Sequence, residues 1–117
     1  MDHQVLTANR HRVLEWRGGL SEASSAVELI SACIEEDCAR LLIAHDVLPE
    51  AFFQLSSRFA GEFLQKLQNY RLRTAVVMDA ERDYGERFDE YLREAKRGRF
   101  SRLFRDRDEA LAWLGEA

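Results

Sequence analysis

Three groups of residues carry side chains that could do chemistry. The first is His45, Asp46 and Asp79, with Ser56 and Ser57 lying between them in the chain. An imidazole, two carboxylates and a hydroxyl are the parts of a general-base hydrolase. To act together they must meet at the carboxyl ends of parallel strands, where open α/β sheets bind ligands. No G-x-S-x-G elbow, phosphate-binding loop or dinucleotide fingerprint accompanies them. Aspartates also end strands and cap turns routinely. A small-molecule binder or enzyme built on His45, Asp46 and Asp79 is therefore the alternative reading, and a structural role the leading one.

The second group is Glu62, Gln65, Lys66, Asn69 and Tyr70. Glu62 and Lys66 are four apart and Asn69 follows three later, so a helix would align them in one stripe. The stripe can be a helix salt bridge worth ~0.2–0.5 kcal/mol. Mixed hydrogen-bonding groups beside an aromatic ring also make a contact surface. The third group, Cys33 and Cys38, is expected on different faces of a helix and so unable to form a disulfide. His3, His11 and His45 are scattered without metal-ligand spacing. Reduced, partly buried thiols and no metal or cofactor are expected.

Elements must position these groups. Gln4–Ala8 and Arg12–Arg17 read as strands joined by a tight hairpin at Asn9–His11, and Gly18–Gly19 end the unit. Ser25 and Glu28 have capping-box spacing ahead of a helix with a stripe of Val27, Ile30, Cys33, Ile34 and Cys38. A turn at Glu36–Asp37 leads to a strand over Arg40–Val47. Its consecutive apolar residues Leu41–Ala44 suit a strand buried on both faces. Pro49 can open a short turn carrying Phe52 and Phe53. Ser56 or Ser57 can cap a helix reaching Tyr70, with Phe59, Phe63, Leu64, Leu67 and Tyr70 as its core stripe. Gly61 inside that helix costs about 1 kcal/mol relative to Ala and suggests a close approach of another element. Thr74–Met78 is a further buried strand, closed by Asp79. A helix over about Glu86–Arg97 buries Phe88, Leu92 and Ala95 and stops at Gly98. Arg99–Arg105 is the last strand, and Asp106 with Glu109 starts a final helix. The order ββαβαβαβα implies an α/β fold: a mixed sheet with helices packed on it and right-handed crossovers.

Composition agrees. The 117 residues suffice for one domain, 1–117. With 46% hydrophobic and 32% charged residues, the chain is neither disordered nor fibrous. No apolar run approaches the ~20 residues that cross a bilayer, and Met1–Arg10 lacks the apolar core of a secretion signal. No membrane role and a cytoplasmic location are expected. The net charge of −4 argues against a general nucleic-acid binder. Between Arg93 and Arg107, seven basic residues stand against two acidic ones. Such a segment can mark an acidic partner, but it also armours an edge strand against aggregation.

Residues 51–70 read AFFQLSSRFAGEFLQKLQNY, and the tail reads EAKRGRFSRLFRDRDEALAWL. Both resemble an uncharacterised bacterial family, catalogued as a domain of unknown function, number four-one-eight-zero. The likeness runs from about Ser25 onward. That family usually has a glycine where Arg58 stands, an acidic residue where Gln54 stands, and Gly-Asp where this chain has Met78–Asp79. The order of elements also resembles STAS-like domains, named for sulfate transporters and anti-sigma-factor antagonists. Those domains are mostly interaction modules, and the antagonists are switched by phosphorylation of a serine at a helix start. That resemblance would make Ser56 or Ser57 a phospho-acceptor, although the antagonists' Asp-Ser-Ser/Thr-Gly signature is absent. A phosphate at a helix N-terminus is electrostatically favourable. The combined expectation is a STAS-like, non-catalytic interaction or regulatory module. It would meet a protein partner or a second copy of itself, as in a homodimer, through Glu62, Gln65, Lys66, Asn69 and Tyr70.

Overall fold

A computed structural model of the chain describes residues 2–95 and 99–116. It is an α/β structure with a five-stranded mixed sheet and four helices packed on it. The first two strands, β1 (His3–Ala8) and β2 (His11–Trp16), form an antiparallel hairpin. Its two-residue turn, Asn9–Arg10, has φ of 48° and 73°. Positive φ at both central residues is the twist-matched hairpin turn, and Asn tolerates it well. Strands β3 (Arg40–Ala44), β4 (Arg73–Val77) and β5 (Ser101–Phe104) then add in parallel, giving the order β1-β2-β3-β4-β5.

Alternation along the strands builds two layers. Leu14, Trp16, Leu41, Ile43, Val76 and Leu103 join a core with helices α1 (Ala26–Glu35), α2 (Phe59–Asn69) and α3 (Glu86–Ala95). Val13, Leu42 and Ala75 face the other way, against Ala110, Trp113 and Leu114 of α4 (Arg107–Leu114). Both sides of β3 are thus covered, which is why Leu41, Leu42 and Ile43 are apolar in succession. Asp106 is the N-cap of α4 and its carboxylate accepts from the Asp108 amide. At the other end, a side chain on Gly115 would meet the Asn9 Cβ at 2.9 Å, so the helix can close on the hairpin only with glycine there.

Several expectations need correction. Ser25 has helical dihedrals and makes no side-chain cap, because a 3-10 turn over Ala23–Ser25 already starts the helical path. In α1 the buried residues are Ala26, Leu29, Ile30, Ala32 and Cys33, while Val27 and Ile34 are exposed. The set Ala26, Leu29, Ile30 and Cys33 has the i, i+3, i+4, i+7 spacing of an inward stripe. Val27 and Ile34 lie one step around the helix.

Cys38 is not on that helix. The Cys38 amide bonds to the Cys33 carbonyl at 2.9 Å, and the Asp37 amide to that of Ile34 at 3.2 Å. Asp37 is left-handed, with φ 54°. This is a Schellman ending, which folds the residue after the turn back toward the third-last residue of the helix. Both cysteines are buried and unbridged. Burial pushes the Cys33 thiol up to about 12 and raises that of Cys38.

The strand from Arg40 ends at Ala44, and residues His45–Val47 form a 3-10 turn. Helix α2 begins at Phe59, after a 3-10 turn over Leu55–Ser57 and a left-handed Arg58 with φ 63°. That conformation is one that glycine adopts at least cost. Tyr70 lies outside the core stripe and is 60% exposed. Among the described residues none approaches Gly61, where an added Cβ would meet nothing within 4 Å. The expected stop at Gly98 and the Ala95 side chain lie outside the described residues.

Candidate functional site

The α2 stripe is accessible throughout. Glu62, Gln65, Lys66, Asn69 and Tyr70 are all exposed, while Phe63, Leu64 and Leu67 on the opposite side are buried. Gln65 donates through Nε2 to the Asn69 Oδ1 at 3.0 Å. Among the described residues no ion pair joins Glu62 to Lys66, so the expected helix salt bridge is not formed. Both charges face solvent.

Apolar residues that helical periodicity assigns to the core are exposed as well. The exposed large hydrophobic residues among those described are Val27 (57%), Ile34 (69%) and Tyr70 (60%). Val27 and Ile34 are seven apart on α1 and therefore share a ridge. Ile34 and Tyr70 line one groove of about 340 Å³ with Ile30, Cys33, Cys38 and Leu72. Its floor includes the two thiols that the Schellman ending brings to the same place. The local reason is the close of both helices. The α1 chain turns at Asp37 and the α2 chain at Arg71, φ 57°, leaving Ile34 and Tyr70 at adjoining ends. Helical spacing alone does not choose between the face of Val27 and Ile34 and the stripe Ala26, Leu29, Ile30 and Cys33, which is the one buried.

The serines sit before α2. The Ser57 hydroxyl donates to the Gln54 carbonyl at 2.7 Å and to that of Ala51. It accepts from the Phe59 amide at 3.1 Å. It therefore ties the 3-10 turns to the helix start. Ser56 is exposed.

His45, Asp46 and Asp79 follow the adjacent ends of β3 and β4 but do not line one described cavity together. Asp46 lines a cavity of about 390 Å³ with Glu15, Trp16, Arg17, Ala44, Val47 and Arg107. His45 and Asp79 are not among its lining residues. The Asp79 carboxylate instead accepts from the Glu81 amide at 2.9 Å and holds a turn. The cavity's principal group is Glu15, missed in the sequence because it reads as one polar residue of a hairpin strand. Its side chain is only 8% exposed. Arg107 binds both its oxygens, Gln4 donates to it at 2.6 Å, and Arg17 lies 3.4 Å away. The Arg107 hydrogen bond, against burial, holds the Glu15 carboxyl below its ordinary range. The pair fastens the start of α4 to the end of β2.

No group of three or more His, Cys, Asp or Glu among the described residues could hold a metal ion. No described helix is long and apolar enough to cross a membrane. No curated protein and no solved structure matches the chain. Residues 9–114 match the domain of unknown function DUF4180; the chain belongs to that family.

Proposed function

We propose that this protein is a STAS-like, non-catalytic interaction or regulatory module of the cytoplasm that docks a partner protein on the outer face of α1 and α2. The observation that carries the reading is the exposure of Ile34 and Tyr70 on one groove, with Val27 exposed about two turns earlier on α1. Contiguous exposed apolar surface rimmed by polar groups marks interaction sites. The exposed polar residues Glu62, Gln65, Lys66 and Asn69 lie on α2, the helix that Tyr70 ends. The groove accepts an apolar side chain, and the polar stripe of α2 supplies donors, acceptors and one charge of each sign. The STAS-like assignment is supported by the strand and helix order and the mixed sheet. A second copy on this face is the competing occupant.

A second reading draws on the cavity at Asp46. It is polar and contains a buried carboxylate against two arginines, so a small charged metabolite would suit it. The two readings separate in one experiment. The protein is screened by thermal shift against a metabolite library and, in parallel, used as bait in extracts of its source. The docking reading expects a specific captured protein and no melting shift. A shift abolished by Asp46→Ala, without a captured partner, overturns it. The phosphorylation switch is the least supported by the geometry, since a phosphoryl group on Ser57 would replace the hydroxyl proton that the Ala51 and Gln54 carbonyls accept. Ser56 remains its accessible acceptor.

A further inference from the structure

We infer that two copies of this chain join edge to edge through β1, with Val5 on the two-fold axis, to make one continuous ten-stranded sheet. This is independent of the α1–α2 docking face.

The two edges of the sheet are chemically unlike. An edge strand offers unpaired amides and carbonyls, and folded proteins blunt it with charge, proline, bulges or brevity. Strand β5 has four residues, carries Arg102 and is flanked by Arg99 and Arg105. Strand β1 reads HQVLTA, with no Lys, Arg, Asp, Glu, Pro or Gly. It pairs with β2 over six consecutive residues without a bulge. It is also held in shape along its length. His3 stacks on Trp16 with ring centroids 6.2 Å apart, Gln4 bonds Glu15, and Val5 and Leu6 pack against the two core layers. Among the described residues no strand other than β2 pairs with it.

Hairpin geometry says which groups point outward. In a hairpin with a two-residue turn the flanking residues, here Ala8 and His11, form a hydrogen-bonded pair, and such pairs alternate along an antiparallel ladder. Leu6 and Gln4 therefore bond to Val13 and Glu15, their partners in β2. The amides and carbonyls of His3, Val5 and Thr7 point away from the sheet. A second β1 running antiparallel satisfies all of them in one register: Val5 opposite Val5 of the other copy, and His3 opposite Thr7. Opposed side chains then lie on the same face of both sheets, so each layer continues across the joint. This isologous match makes a second copy the fitting occupant.

The test is mass by light scattering on the full chain, with folding followed by circular dichroism. Wild type should run at twice 13.6 kDa. Thr7→Pro removes one outward amide and no bond to β2, so it should stay folded and run as monomer. Thr7→Lys places the charge natural edges use, at an exposed position, and should do the same if the proline variant fails to fold. Lys66→Glu should leave the dimer intact, which separates this joint from the docking face. A monomeric wild type, or folded Thr7 variants that remain dimeric, overturns the inference.

Discussion

Glu15 is the residue whose environment departs most from what its position in the chain suggests. A carboxylate at the end of a hairpin strand would ordinarily face water. Here it is covered by α4 and held by Arg107, Gln4 and Arg17. Its folded pKa is lowered, so its contribution is fully present above the ordinary carboxyl value of 4.5 and is lost as the pH falls through the lowered one. Glu15→Gln should cost ~1–2 kcal/mol at neutral pH, an amount discounted because Arg107 is partly exposed. Urea melts at stepped pH check this. The difference between wild type and variant should shrink on acidification below pH 4.5; a difference that stays constant would mean that the charge on Glu15 contributes nothing.

At the scale of elements, α2 divides into a structural half and a presented half. Phe63 is fully buried and its ring meets those of Phe52 and Phe59 at 6.4 and 5.7 Å. Phe63→Ala should cost ~3–5 kcal/mol in denaturant melts, and a loss under about 1 kcal/mol would show that the site refills. Gly61 lies on the solvent side with open space around it. Gly61→Ala should stabilise by ~0.5–1 kcal/mol, the helix-propensity difference, unless a bound partner needs the gap. Strand cores were legible in the sequence because consecutive apolar residues have one explanation in a parallel sheet. Leu41–Ile43 and Ala75–Val76 are buried as read. The inward face of α1 was not legible, because the exposed Val27 and Ile34 are as apolar as the stripe that is buried. Covalent spacing alone could not place Cys38, whose position depends on a left-handed Asp37.

For the whole molecule, one sheet separates two kinds of surface. α1, α2 and α3 cover one face and α4 the other, and the exposed large apolar residues among those described are confined to α1 and the end of α2. Part of the candidate site was legible: the polar stripe of α2 stood out by spacing and is solvent-facing throughout. Its apolar neighbours were not, because exposure of Ile34 and Tyr70 depends on how two helix ends meet. Nor were Glu15 and Arg107, ninety-two residues apart in the chain, visible as a pair. The docking claim is tested most directly by capture on immobilised wild type, Ile34→Glu and Tyr70→Ala side by side. The account predicts that one specific protein binds wild type and is lost from both variants. All three chains should melt within a few degrees of one another, since exposed positions contribute little to stability. Equal capture by wild type and both variants, with all three folded, would contradict it.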